Sequence, residues 1–347
     1  MTGAEEPSAR PTEPGPATVP DGVGGISFDD LAAHHRRELH AHCYRMTGSV
    51  VDADDLVQET FVRAWRARDR FEGRSSVRTW LYRIATNVCL DALARRGRRA
   101  MPAGDLLADD SAFQPYPDEL VGPGARGIGI APGSGGGIDD GAIARETLEL
   151  GLIAALQHLA ARQRAALVLR DVLGWTPPEV AEVLGVSVAA TNSLTQRARA
   201  TVARRLPRDR AEWTRPTLTA DDRRVLDRYV QAHEQGDESA ILGLLRDDVR
   251  ITMPPNPPAV GIEQSRAFLR SVIDRALRPG DWSMVATWAN GRPATANYLR
   301  RPGDERFRAL SIDVLTLDER GRIAEINCFL DDALFASFGL PLLHHPG

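Results

Sequence analysis

Residues Trp175–Arg205 read WTPPEVAEVLGVSVAATNSLTQRARATVARR. Two short helical patterns flank Leu184-Gly185-Val186, a turn tight enough to specify a helix-turn-helix. Thr176 is placed to cap the first helix, and Pro177 takes its first position, where a missing N–H costs nothing. Val180, Ala181 and Leu184 share one face. Gly185 supplies the backbone freedom for a sharp turn. Ser187 caps the second helix, whose inward stripe is Thr191, Leu194, Ala198 and Val202. Its other side carries Asn192, Ser193, Gln196, Arg197 and Arg199, then Arg204 and Arg205. Those side chains donate to phosphates and base edges, and such a helix fits a major groove. The alternative is a bundle helix with a solvated Arg face; the spacing, the cap and the basic end favour DNA binding.

The surrounding chain bounds what such a unit serves. Its 347 residues hold two or three domains, with a net charge of -4. Any nucleic-acid surface is therefore local. All 43 positive charges are Arg, since Lys is absent. Cys43, Cys89 and Cys328 are odd in number and widely spaced, which fits a reducing compartment. With no signal-like N-terminus and no apolar run of membrane length, the expected location is cytoplasmic.

Residues 1–25 carry five Pro and five Gly and read as a disordered tail. From Ile26 a helical pattern sets in, with Phe28, Leu31, Leu39, Cys43 and Met46 on one stripe and Gly48 at its end. His34, Glu38 and His42 recur one turn apart, a spacing that allows a metal, although the HExxH order is absent; a solvated helix face is the preferred reading. In DADDLVQETFVRAW, Asp52 is placed to cap a helix whose core stripe is Val57, Phe61, Ala64 and Trp65. Asp55, Gln58, Glu59 and Arg63 are left outside. A following helix, VRTWLYRIATNVCLDALARRGRR, is capped by Ser75 or Ser76 and buries Val77, Trp80, Leu81, Ile84, Ala85, Val88 and Ala92. Phe61–Arg99 holds eleven Arg against Asp69, Glu72 and Asp91, a local net of +8. Phe71, Trp80 and Tyr82 interleave with that charge, the mix that stacks unpaired bases.

These two blocks and the helix-turn-helix resemble the extracytoplasmic-function (group 4) sigma factors of the sigma-70 family, over about Phe28–Pro207. The resemblance implies that the first block belongs to region 2 and docks on the β′ clamp of RNA polymerase core through Asp55, Gln58 and Glu59. It implies that Phe71, Trp80, Arg83 and Asn87 serve the minus-ten element, melted and single-stranded. It makes the helix-turn-helix region 4, which reads double-stranded minus-thirty-five DNA and touches the β flap. Ser187, Asn192, Ser193, Gln196, Arg197 and Arg199 are the candidate contacts, with Gln196 and Arg197 reading bases. Asn192 and Leu194 depart from the basic residues common in that family.

Between the two regions, residues 101–144 are rich in Gly, with seven acids against Arg126. They read as a flexible acidic linker. Arg145–Leu173 resumes a helical pattern that supports the helix-turn-helix. Beyond Pro207, Thr219 is placed to cap a helix containing His233, and two further helices follow. Strands are expected at Val249–Met253, Trp282–Trp288, Ala294–Arg300, Phe307–Leu317 and Ile323–Leu330, with turns at Asn290-Gly291, Pro302–Asp304 and Glu319–Gly321. This order, with GRIAEINCFLD, resembles the SnoaL-like branch of the nuclear-transport-factor-like fold. That fold encloses a pocket, for which His233 and Asp313 are the candidates; a surface ion pair for Asp313 and a helix-face position for His233 are the plainer readings.

The expected fold class is multidomain: two all-α sigma domains, a region 2 helical bundle and a region 4 helix-turn-helix, followed by an α+β SnoaL-like cone. The expected divisions are 1–25, 26–100, 101–144, 145–210 and 217–345, the last regulatory. The expected function is promoter-specific initiation with RNA polymerase core, without catalysis, metal or cofactor. A small-molecule ligand or an anti-sigma protein are the further partners considered; a membrane is not. The alternatives are a ligand-responsive helix-turn-helix regulator and a DNA-anchored cyclase or isomerase.

Overall fold

The computed structural model of the chain describes residues 27–73, 75–96, 113–121, 150–205, 220–276 and 281–345. The tail 1–25 and the cap expected at Thr219 lie outside them. Three helices form the front: α1 (Phe28–Thr47), α2 (Val50–Ala67) and α3 (Val77–Arg96). Each starts on a serine. The hydroxyl oxygens of Ser27, Ser49 and Ser76 accept from the N–H of Asp30, Asp52 and Thr79, each at 3.1 Å. The cap of α2 is thus Ser49 and not Asp52, which sits in the first turn and meets the helix dipole there. Gly48, at φ 74°, closes α1 with its N–H on the Tyr44 carbonyl.

Leu39, Cys43, Met46, Val57, Ala64, Leu81, Ala85 and Val88 are buried where these three helices meet. Trp65 departs from the expected stripe and is 38% exposed. It lies in the last turn of α2, where Phe28 covers one edge at 5.0 Å and the Arg68 guanidinium lies 3.8 Å from its ring centre. The face of α1 bearing His34, Glu38 and His42 is solvated only at its start: His34 is exposed, whereas α3 packs across Glu38 and His42. His42 is fully buried and bonds Thr86 Oγ1 at 3.0 Å, while Glu38 accepts from Arg78 at 2.8 Å. Among the described residues no three potential metal ligands come together.

Four further helices follow, α4 (Leu150–Gln157), α5 (Ala161–Leu167), α6 (Pro177–Leu184) and α7 (Val188–Arg205); the first three pack against this bundle and α7 packs on them. A single π turn, Val168–Val172, follows α5. Arg164 of α5 joins the two units. Its guanidinium is buried and donates to the carbonyls of Met46 at the end of α1, Gln157 and Leu159. Those carbonyls lie at or just beyond helix ends, where no intrahelical donor reaches them. One side chain thereby satisfies the ends of two units.

The C-terminal unit begins with α8 (Ala220–Glu234) and α9 (Glu238–Leu244). Strands β1 (Leu245–Thr252) and β2 (Ala259–Val260) precede α10 (Ile262–Ala276). Then come β3 (Trp282–Ala289), β4 (Arg292–Leu299), β5 (Phe307–Leu317), β6 (Ile323–Phe329), a short α11 (Ala333–Ser337) and β7 (Leu343–His344). The sheet order is β2-β1-β6-β5-β4-β3, with β7 on β5; only the β1–β6 pair is parallel among the described strands. This is the expected α+β arrangement.

Both faces of the sheet are buried, and alternation along each strand sorts its residues between them. Ala294, Ala296, Tyr298, Ile312 and Val314 belong to the apolar core shared with the helices. Phe335 of α11 covers that side, 5.1 Å from Tyr298, and α11 itself packs on α2. Leu315, Ile326 and Val249 face the other way, towards Leu226 and Tyr229 of α8.

The stretch read as a flexible linker is described only at 113–121, and there it is packed. Tyr116 is fully buried between α1 and the β3–β4 turn. Its hydroxyl pairs with His40 Nδ1 at 2.9 Å, and its N–H donates to Asn290 Oδ1 at 2.8 Å. Asn290 Nδ2 in turn donates to the Tyr44 hydroxyl at 3.1 Å. Asp118 accepts from the Gly291 N–H at 2.9 Å, and Phe113 packs edge-on to Phe329. Two rings and several satisfied hydrogen bonds outweigh the backbone entropy that composition alone favours here.

Burial lowers the His42 imidazole to about 3, with Arg45 adding to the effect and Glu38 opposing it. A folded-state value below the unfolded one gives stability that is full above about pH 6.5 and is lost as pH falls towards 3. We expect urea midpoints to drop between pH 7 and pH 5. His42→Gln should lose up to ~1.4 kcal/mol less per pH unit than the parent. Parallel pH profiles for the two proteins would contradict the assignment.

Candidate nucleic-acid interface and cavity

The helix-turn-helix forms as its residues dictate. Thr176 and Glu179 make a capping box, Gly185 takes φ 61°, and Ser187 Oγ accepts from the Ala190 N–H at 3.1 Å. Thr191 and Ala198 are fully buried, and Thr195 is buried beside them. That leaves Asn192, Ser193, Gln196 and Arg197 on the exposed face of α7. Ser187 spends its lone pair on the cap, and Ser193 Oγ donates to the Ala189 carbonyl at 3.1 Å. Arg199 is exposed but held: Asp171 receives it bidentately at 2.8 and 2.6 Å. Those bonds raise its pKa and commit its fork to a carboxylate. The outward surface therefore presents an amide, a hydroxyl, a second amide and one uncommitted guanidinium, spaced as α-helical turns.

On the front bundle Asp55 and Gln58 are exposed, whereas Glu59 is half-buried and pairs with Arg63 at 2.7 Å. Arg63 also reaches Asp91 of α3 at 2.9 Å. Phe71 and Trp80 meet at 5.0 Å with planes 40° apart, both half-exposed, so the expected aromatic pair exists beside the Arg-rich helix. Tyr82, by contrast, is fully buried against His42 and Trp175 and is not available to bases. Trp80, Arg83 and Asn87 follow at i, i+3 and i+7, one face of α3. Arg83 and Asn87 are exposed, but Arg83 donates to Glu182 of α6 at 2.6 Å. The two candidate DNA-reading units are thus packed together through Arg83–Glu182, Tyr82–Trp175 and Arg164.

In the C-terminal unit His233 and Asp313 do line one cavity, of about 580 Å³, between the sheet and helices α8 and α10. Asp313 is not a surface ion pair. It is buried, accepts from Ser311 Oγ at 2.9 Å, and burial raises its carboxyl to about 6 against the Ser311, Cys328 and Asn297 bonds. His233 Nδ1 donates to the Tyr229 carbonyl at 2.9 Å; desolvation nevertheless pulls it down to about 4, so it is neutral at pH 7. Sequence reasoning missed the joining roles of Asn290, Tyr116 and Arg164, and of Gln114, whose side chain bonds Ser49 at 2.9 Å and Asp331 at 2.9 Å. The one signal available was FQPYPDEL, two aromatics in a Gly-rich stretch.

Comparison with known proteins places these units. Residues 31–99 match the Sigma-70 region 2 family model, 150–202 the Sigma-70 region 4 model, and 226–326 the SnoaL-like domain model. The chain is 40% identical over 330 residues to the ECF RNA polymerase sigma factor SigG of Mycobacterium tuberculosis, covering 90% of this chain and 84% of that protein. It is 30% identical over 298 residues to SigJ of the same organism, covering 82% and 85%. The crystal structure of Mycobacterium tuberculosis SigJ superimposes with a TM-score of 0.55 at 25% identity, over 90% of this chain and 99% of that one.

The Asp171 clamp gives a direct test of the α7 surface. Asp171→Asn should free Arg199 for phosphate, tightening non-specific duplex binding and steepening the slope of log K against log salt by about 0.9. A slope equal to the parent's would show that Arg199 does not face DNA.

Proposed function

The chain belongs to the ECF RNA polymerase sigma factors, and we propose how its surfaces divide the work of such a factor. Proteins of this family are transcription initiation factors that direct polymerase core to promoters, and they are not enzymes. The working division is 26–100 for polymerase binding and the minus-ten element, 145–210 for the minus-thirty-five element, and 217–345 as a regulatory unit, all acting in the cytoplasm.

Asp55, Gln58 and Glu59 on α2 are assigned to the β′ clamp of the core enzyme. The exposed acid and amide suit a basic partner, with the Arg63 bridge holding Glu59 in place. Phe71 and Trp80 are assigned to melted minus-ten bases, with Asn87 and, once released from Glu182, Arg83 beside them. Stacking on such rings contributes about 1–3 kcal/mol per base. On α7, Gln196 and Arg197 read base edges, Asn192 and Ser193 extend the contact, and Ser187 holds the helix start. Arg199 contributes to phosphate binding only after leaving Asp171. The observation that carries this reading is the exposed polar face of α7, formed by a helix whose other side is closed by Thr191, Thr195 and Ala198.

Packing of α3 against α5 and α6 holds the two reading units together, too close for two separated promoter elements. The closed arrangement therefore describes the factor before it engages promoter and core. The Tyr116 junction gives the C-terminal unit its grip on that equilibrium. Tyr116 lies between the two sigma regions in sequence, and Asn290 holds it from the β3–β4 turn. A tail that binds the closed state better than the open one restrains initiation by that difference.

Run-off transcription with purified core polymerase tests both parts. The parent should start at a defined site, and Arg197→Ala should lose about 1–3 kcal/mol of discrimination between matched and mismatched minus-thirty-five elements. Asn290→Gly keeps the positive φ of 54° without strain while removing the side-chain bonds to Tyr116 and Tyr44. It should raise initiation several-fold at limiting factor. Identical activity from parent and Asn290→Gly would remove the regulatory role, and identical discrimination by Arg197→Ala would remove the α7 assignment.

A further inference from the structure

The cavity of the C-terminal unit has a chemical character that defines what fits it. Its walls are largely apolar, with Phe268 and Leu269 from α10 and Met284, Leu299 and Ile326 from the sheet. Leu330, at the edge of the same cavity, is 45% exposed. A volume of about 580 Å³ lies within the range of pockets that take drug-sized molecules.

Two buried polar atoms in this lining have no hydrogen-bond partner among the described residues. Asn297 Oδ1 is an acceptor; its amide nitrogen is already spent on Ser311 Oγ at 2.9 Å. Trp282 Nε1 is a donor at the start of β3. A buried acceptor left unmatched is destabilising, and a complementary ligand recovers that cost. No Arg is among the lining residues, and the acids there reduce to Asp313. Its partners Ser311, Cys328 and Asn297 are uncharged, and Tyr229 and His233 add no positive charge at neutral pH. An anion entering here meets a carboxylate in a poorly hydrated space with nothing to offset it.

We propose that this cavity is a binding site for an uncharged, predominantly apolar small molecule bearing a hydrogen-bond donor, which Asn297 Oδ1 receives. Asp313 excludes anions of the same shape. Asn297 and Asp313 sit on paired strands: Asn297 pairs with Ser311, two residues from Asp313. One patch of the sheet therefore provides both recognition and rejection. The site stands independently of the promoter assignments, because its occupancy is read without polymerase or DNA.

Two fluorescent probes of one skeleton test it on the full chain. N-phenyl-1-naphthylamine is neutral with one N–H donor, and 8-anilino-1-naphthalenesulfonate adds an anionic group. The neutral probe should bind once per chain and at least about tenfold more tightly than the sulfonate, a difference of about 1.4 kcal/mol. Asn297→Leu should weaken the neutral probe about five- to tenfold. Asp313→Asn should raise sulfonate affinity towards that of the neutral probe. Ala267→Trp, at an exposed position of α10 that lines the cavity, should block both probes while circular dichroism and the thermal midpoint stay at parental values. Equal affinity for the two probes, or neutral-probe binding that survives Ala267→Trp, would overturn the proposal. So would absence of neutral-probe binding to the folded parent.

Discussion

The side-chain amide of Asn290 is the point on which the arrangement of the three units depends. It sits in the β3–β4 turn, fixed at positive φ, and is 2% exposed. Its oxygen accepts from the Tyr116 backbone and its nitrogen donates to the Tyr44 hydroxyl, so one turn of the sheet holds both the inter-region segment and α1. The Tyr44 and Tyr116 rings lie 4.6 Å apart with planes tilted by 44°, and Tyr116 continues to His40. In a space closed to water, each of these groups would carry a desolvation cost if its partner left. The junction is therefore either fully made or broken as a unit. That property suits a contact which must hold one arrangement and release another.

The same logic explains why β4 and β5 are buried on both sides. A largely antiparallel sheet commonly packs one face on its own core and leaves the other to solvent. Here the second face belongs to the chain itself: Ala294 and Ala296 are small, Tyr298 fills the gap, and α11 closes it against α2. Polar groups that point the other way, Asn297, Ser311 and Asp313, are left to furnish the cavity. One hairpin thus joins the cavity, through Trp282 and Asn297, to the sigma regions, through Asn290. Arg164 plays the corresponding part between the two helical units, with a buried guanidinium whose pKa falls to about 10 on desolvation while it satisfies carbonyls from both.

Much of this was legible in the amino-acid sequence because local rules and tertiary packing agreed. The helix-turn-helix was fixed by Thr176, Gly185 and Ser187 together, and the strands of the last domain by alternation and Gly-containing turns. Where expectation failed, a long-range contact outweighed a local one. Ser49 took the cap from Asp52 because the helix begins three residues earlier than a cap at Asp52 requires, and the Ser49 hydroxyl is itself held by Gln114 from the inter-region segment. His42 looked solvated since its partner Thr86 lies 44 positions away. Arg199 looked free because Asp171, on the π turn, is 28 positions upstream. Tyr116 stood in a stretch whose composition argues for disorder, and no periodicity announces a single buried aromatic. The pairing of His233 with Asp313 in one cavity was legible from fold resemblance, but the orphan Asn297 Oδ1 was not.

On the function proposed above, the two DNA-reading units are held closed in the uncomplexed chain and separate on engagement. Energy transfer between dyes at Ala94→Cys on α3 and Ala203→Cys on α7, both exposed sites, measures this directly. The three native cysteines are buried, so labelling is selective. A single short distance is expected in the protein alone and a longer one with core polymerase and promoter DNA. One unchanged distance in both states, or a broad distribution in the protein alone, would contradict it.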